Sequence, residues 1–211
     1  MKYKLVAFDM DGTLIVGDSC WETIHNHFGT KRAAKEHLRA WEKGEIDYME
    51  FMRRDIALWE PIPTLRKIKT VLSAYSFAPN VIKVVEEIHR KSLPMAIVTG
   101  GLDLLANDVA HDLRIQHVLA NGLVADKRGR LTGEGILRVE PTRKDVNLMQ
   151  LTELLGISPK KCVAVGDSKH DAKFLEFAGL AVAVGQSAEL ARVADVVIKD
   201  FEHFPKLLDY I

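Results

Sequence analysis

Asp9 and Asp11 in Asp9-Met10-Asp11-Gly12-Thr13 close a short apolar run. At i and i+2 of an extended chain, their side chains share one side. Taken alone the pair is weak, because aspartates after strands also serve as turn and cap formers. Two other apolar runs end in residues of complementary chemistry. Thr99-Gly100-Gly101 offers a hydroxyl and exposed backbone N–H groups, suited to cradling an anion at a helix N-terminus. Gly166-Asp167-Ser168 brings a further acid, with Asp171 four residues beyond Asp167. Carboxylates crowded on one rim repel unless a cation sits among them. Hard oxygen ligands with places left for water and phosphate favour Mg2+. Lys144, shortly after Pro141, can bring a second positive charge to a phosphoryl group, although any single lysine is more often a surface residue.

These residues need a scaffold that brings several strand ends to one edge. Short runs rich in Val, Ala and Ile at 5–8, 95–98, 163–165, 180–184 and 196–198 predict buried parallel strands. Between them, 81–91, 102–113, 145–155, 171–178 and 188–192 carry apolar residues at helical spacing, several ending at Gly or Pro. The alternation predicts an α/β doubly wound, Rossmann-like parallel sheet, in which ligands bind beyond the carboxyl ends of the strands. Gly122-Leu123-Val124 and Leu131-Thr132-Gly133, flanking Lys127-Arg128-Gly129-Arg130, predict a β-hairpin with a basic, solvated turn.

The stretch 16–78 breaks the pattern. It shows no convincing strand and reads as consecutive helices, with starts near Asp18 or Ser19, Thr30, Asp47 and Thr64. The expected division is a discontinuous core of 1–15 and 79–211 with a helical cap of 16–78. All three tryptophans fall in that insertion, chiefly as material for its own small core. His25 and His27, two residues apart, point to different helical faces and are expected at the surface or boundary.

With 211 residues and 47% hydrophobic content the chain can bury one good core and carry a second lobe. Lys plus Arg (29) balance Asp plus Glu (29), so no global field draws it to nucleic acid or an anionic membrane. The first apolar run is too short for a secretory signal, and no run is long enough to span a bilayer, which makes the cytoplasm the expected location. Cys20 and Cys162, far apart, are expected as small core residues rather than a disulfide or zinc pair.

In order and approximate spacing, Asp9-Met10-Asp11-Gly12-Thr13, Thr99-Gly100-Gly101, Lys144 and Gly166-Asp167-Ser168-Lys169-His170-Asp171 resemble the four motifs of the haloacid dehalogenase superfamily. Within it the chain is most similar to the phosphoserine phosphatases, over nearly its whole length. The resemblance implies a phosphate-monoester hydrolase acting through an aspartyl phosphate on a small phosphorylated metabolite. Asp9 would be the nucleophile and Asp11 the general acid and base. Asp9, the Asp11 backbone carbonyl and Asp167 would hold Mg2+. Thr99, Gly100 and Lys144 would hold the phosphate, and Asp171 would orient Lys144 or the metal shell. His170 stands where the family usually has an asparagine near the phosphate.

The chemistry agrees with these assignments. An aspartate is ionised near neutral pH and needs no partner base to attack phosphorus once cations screen the approach. Asp11 before Gly12-Thr13 favours phosphoryl transfer over dehalogenation, which needs no second acid. In the cap, the family's substrate-binding glutamate and arginine correspond to Asp18 and Asp55, with Arg53 and Arg54 adjacent. Readings that remain beside phosphoserine are another small phosphorylated metabolite, transfer to an acceptor other than water, and a non-catalytic phosphate-binding protein.

Overall fold

Every residue of strand β1 (Leu5–Phe8) is buried, and alternate side chains leave it in opposite directions. Val6 and Phe8 enter one apolar cluster while Leu5 and Ala7 enter another. A strand buried on both faces must be central, and in the computed structural model, which describes residues 2–211, β1 is the middle of seven strands. With β2 (Ile15–Val16) and β3 (Ser76–Phe77) forming a separate two-stranded ribbon, the main sheet runs β6-β5-β4-β1-β7-β8-β9. Its members are β4 (Met95–Leu102), β5 (His117–Ala125), β6 (Leu131–Ile136), β7 (Cys162–Gly166), β8 (Leu180–Val184) and β9 (Val196–Ile198). All neighbours are parallel except β5 and β6, the expected hairpin.

Helices cover both faces. α5 (Val81–Arg90), α6 (Asp103–Leu113) and a C-terminal 3₁₀ segment, Phe201–Asp209, lie against the Val6–Phe8 face, where Val84, Ile88, Val109 and Phe204 are fully buried. α7 (Lys144–Leu155) and α8 (Ala172–Phe177) cover the opposite face through Leu148, Leu151, Phe174 and Leu175. The α/β doubly wound expectation holds, with three local differences. β4 does not end at Thr99 but continues to Leu102, its register with β5 shifting between Val98 and Leu102. β5 begins at His117, where polar His117 and Asn121 interrupt the apolar pattern that marks the other strands. Residues 188–192 form only a 3₁₀ turn, Leu190–Arg192, rather than a helix.

Between β2 and β3 the chain forms α1 (Cys20–Phe28), α2 (Lys31–Glu42), α3 (Tyr48–Ala57) and α4 (Leu65–Leu72). Ser19, Asp47 and Thr64 cap three of them by accepting from backbone N–H groups, and Ser19 with Glu22 completes a reciprocal capping box. β2 and β3 pair antiparallel, Ile15 with Phe77 and Val16 with Ser76, so the chain leaves and re-enters the core side by side. The basic hairpin turn is not simply solvated. Leu65 N–H donates to the Gly129 carbonyl at 2.9 Å and Leu131 N–H to the Pro63 carbonyl at 3.0 Å. Arg53 on α3 pairs with Glu134 on β6 at 3.1 Å.

Four helices this short need large side chains to make a core. Trp59, 1% exposed, sits 5.8 Å ring to ring from both Trp21 and His25 and stacks on Phe28 at 6.4 Å. Trp59→Ala should therefore lower the free energy of unfolding by about 3–5 kcal/mol, read by urea denaturation. A loss below about 1 kcal/mol would mean that this cluster does not hold the helices together.

Candidate active site

The carboxyl ends of β1, β4 and β7 and the start of α7 meet at one rim. Asp9 follows β1, and its backbone N–H donates to the Val165 carbonyl at 2.8 Å. Lys144 opens α7 and is buried, with its Nζ 2.6 Å from Asp9 Oδ1 and 2.6 Å from Asp171 Oδ1. Asp171 is wholly buried, and its second oxygen accepts from the backbone N–H groups of Asp167 and Ser168 and from the Ser168 hydroxyl. Both of its oxygens are thus engaged by protein, which suits a residue that orients Lys144 rather than one that reaches a ligand. Asp167 Oδ1 accepts from the Thr13 hydroxyl at 3.0 Å.

Gly12 lets Asp167 approach. Its φ of 85° lies in the left-handed region, and a Cβ there would stand 2.3 Å from Asp167 Oδ2. Gly101 performs the same service for Asp11, since a Cβ would fall 2.9 Å from Cys20 Sγ and 3.1 Å from Asp11 Oδ2. Cys20, a small core residue as expected, is therefore also a neighbour of Asp11. Asp11 Oδ1 is buried without a hydrogen-bond partner, a costly state that calls for a proton or a reacting group.

Oxygens of Asp9, Asp167 and Asp171 lie within 4.8 Å of one another. With Asp11 they make four carboxylates around a single ammonium; Asp171 being engaged by protein, Asp9 and Asp167 are the pair of that group that fits a hard divalent cation. Burial, followed by the charge of Asp9, pushes the Asp11 carboxyl up to about 7, against the pull of the Cys20 backbone N–H and of Lys144. Burial also raises Asp9, with Asp171 and Asp167 adding to it and Lys144 opposing, and it raises Asp167 in the same way. For Lys144, burial acts downward but the charges of Asp171 and Asp9 outweigh it, so it stays protonated.

Thr99 is buried, and its hydroxyl oxygen accepts from Gly101 N–H at 3.0 Å, so that N–H is not free for an anion as the sequence led us to expect. The Gly100 carbonyl accepts from Tyr48 OH at 2.9 Å, Asn121 Nδ2 at 3.0 Å and Trp21 Nε1 at 3.3 Å. Asn121 also donates to the Val139 carbonyl at 2.9 Å and accepts from Arg138 and Val139 N–H at 2.8 Å, fixing the segment that leads to Lys144.

A cavity of about 310 Å³ opens from Asp9, Asp11, Thr99, Gly100 and Lys144 into the helical insertion. His170 lines it, its ring 5.1 Å from that of Trp41 and its Nε2 3.4 Å from Glu42 Oε1; burial holds its pKa below the usual histidine value. Asp18 is not brought to this cavity. It is exposed, bonded to Asn26 and 3.5 Å from Lys31, while Ser19 and Glu22 line the wall instead. His25 differs from expectation in being buried. Its Nε2 is 2.9 Å from Asp55 Oδ2 and its Nδ1 2.7 Å from the Thr30 hydroxyl. His37 Nδ1 takes the other Asp55 oxygen at 2.7 Å. His27 is exposed as expected. Arg53 and Arg54 lie outside the cavity, both bound to Glu50.

The family model described as haloacid dehalogenase-like hydrolase matches residues 6–176. A phosphoserine phosphatase of Albidiferax ferrireducens is 31% identical over 203 residues, covering 93% of this chain and 85% of that protein. One of Methanocaldococcus jannaschii is 26% identical over 212 residues, covering 100% and 98%. In fold, the chain matches a substrate-bound phosphoserine phosphatase complex with a TM-score of 0.85 at 24% identity, over 100% of this chain and 99% of the other. The chain belongs to the haloacid dehalogenase-like hydrolase family. Among the described residues no helix is long and apolar enough to cross a membrane.

The raised carboxyl groups carry a pH signature. A group whose folded pKa lies above its unfolded value stabilises the fold at low pH and loses that contribution as pH rises through the folded value. For Asp11 the window runs from 3.8 to about 7, with Asp9 and Asp167 acting in the same direction. Metal-free protein should therefore melt at a lower temperature at pH 8 than at pH 5, and added Mg2+ should reduce the difference. Calorimetric melts in EDTA that show no decline across that range would contradict the charge balance described.

Proposed function

We propose that the chain is a Mg2+-dependent phosphate-monoester hydrolase that works through a phosphorylated Asp9. The observation that carries this reading is the Asp9 carboxylate held by Lys144 beside Asp167, with the Asp11 oxygen buried and unpartnered in the same cavity. A protein that only bound phosphate would have no need of a nucleophile and a proton donor together.

Asp9, the Asp11 backbone carbonyl and Asp167 would hold Mg2+, which when bound offsets the negative charge of the phosphoryl oxygens. Lys144 and Thr99 bind the phosphate, with the Gly100 backbone beside them. An Asp9 oxygen attacks phosphorus in line as the bond from phosphorus to the alcohol oxygen breaks, and Asp11 gives its proton to that oxygen. After the alcohol leaves, Asp11 takes a proton from the water that attacks the acyl phosphate, which restores Asp9 and releases phosphate. Burial favours the protonated form of Asp11, as the donor of the first transfer needs. The helical cap, about 16–78, closes over this rim and limits water until the alcohol has gone.

The relatives' names make phosphoserine the first substrate to consider. A second reading, another small phosphorylated metabolite, is favoured by Asp55, which brings no positive charge to the cavity where a carboxylate would need one. Two buried cysteines without a disulfide suit a cytoplasmic location.

Phosphate release from a panel of monoesters, with and without Mg2+, tests the hydrolase reading. Asp9→Asn should lower kcat by at least about 10³-fold, the scale seen when a nucleophile is removed; full activity in that variant would sink the assignment, and no turnover of any ester would favour a phosphate-binding protein. The substrate question has its own measurement. Phosphoserine should be preferred over phosphoethanolamine by less than about tenfold in kcat/KM, since only a paired carboxylate adds more than about 1.4 kcal/mol. A hundredfold preference would show that a carboxylate is recognised after all.

A further inference from the structure

The cavity has two chemically different ends. Its core end carries the charges just described. At the cap end the polar tips of Trp21 and Tyr48 both donate to the Gly100 carbonyl, so what they leave to the cavity wall is aromatic carbon. Trp41 and Phe51 continue that wall, 6.1 Å apart ring to ring.

Two acids line that side: Glu22 is exposed and bonded to Ser19, and Asp55 is closed off. Each Asp55 oxygen accepts from a histidine, and Asp55 is 1% exposed. His25 has no nitrogen to spare, because its Nδ1 is already bonded to Thr30 and approached by Trp59 Nε1 at 3.4 Å. The polar atoms of Trp21, Tyr48 and His25 are thus all engaged. Two lysines line the cavity at its exposed side, Lys35 exposed and Lys31 paired with Asp18. A carboxylate placed against the rings would lose its water, find the donors of Trp21, Tyr48 and His25 already taken and sit close to the Asp55 charge. An uncharged ring loses no such hydration and gains ring contacts on several sides.

We infer that the cavity takes phosphate monoesters whose alcohol part is uncharged and aromatic, and that Asp55, fixed by His25 and His37, is a specificity-determining residue that turns carboxylates away. This rests on the hydrolase reading for turnover but not for binding. Two measurements separate them. In wild-type protein, kcat/KM for benzyl phosphate should exceed that for phosphoserine by about tenfold or more, alcohols of similar reactivity being compared. In Mg2+-loaded Asp9→Asn protein, calorimetry should give 2-phenylethylphosphonate a Kd about tenfold below that of 2-amino-4-phosphonobutanoate, the matching amino-acid analogue. Equal affinities, or the reverse order, overturn the inference. Failure to hydrolyse any ester, with the binding order kept, sinks the hydrolase reading and leaves the specificity standing. Trp41→Ala should narrow the ratio of kcat/KM for benzyl over ethyl phosphate by about tenfold, as loss of a ring contact and its burial would; an unchanged ratio means that the aromatic wall does not read the substrate.

Discussion

Lys144 carries the only ammonium among the buried groups of the site, and it bridges carboxylates from two distant parts of the chain. Asp9 belongs to the end of β1 and Asp171 to the turn after β7, and they meet because α7 begins between them. A buried ion pair gains little over apolar packing, but breaking it by removing one partner costs about 3–5 kcal/mol because the remaining charge is stranded. Here the loss would strand two. Lys144 fixes one Asp9 oxygen, at the cavity that Asp9 lines together with Asp11 and Thr99. Asp171 has both oxygens taken by protein, so it orients Lys144, while its charge also raises Asp9 and Asp167.

A second meeting point governs the cap. The Gly100 carbonyl accepts from Trp21 on α1, Tyr48 on α3 and Asn121 on β5. A carbonyl has two lone pairs, so three donors share them, and the insertion is registered on the same short segment that presents Thr99. The β4 register shift between Val98 and Leu102 turns this segment away from regular pairing and frees its carbonyl for side chains. The insertion and the Thr99 segment are in this way tied through adjacent residues, and a change in how the helices sit would be felt at Thr99 directly.

How much of this was legible in the sequence follows from how local each feature is. Asp9, Asp11, Thr99, Lys144 and Asp167 stand where apolar runs end or a helix starts, positions that apolar periodicity marks, so their convergence could be read from the order of elements even though β4 itself continues past Thr99. Helix caps at Ser19, Asp47 and Thr64 were readable for the same reason. The Asp55 cluster was not, because His25, His37 and Asp55 come from three helices and nothing local says that they meet. His25, judged by its two-residue spacing from His27, looked like a boundary residue; its burial is decided by Trp59, 34 positions away. The glycine turn at Thr99 read as a free N–H cradle, whereas the Thr99 hydroxyl takes the Gly101 N–H for itself.

The same contrast bears on function. Phosphoryl chemistry demands charges at fixed distances, and the strand ends of a parallel sheet supply them with little freedom, so relatives that keep the motifs keep the reaction. The alcohol part of the ester meets helices whose side chains need only fill space and satisfy one another. An acid can occupy the cavity wall there without harm to the fold once two histidines close its oxygens, and the wall then rejects what an arginine would have drawn in. Identity spread over the whole chain therefore speaks more strongly for the attack by Asp9 than for the molecule attacked, whose choice turns on the few contacts around Asp55 and the rings beside it.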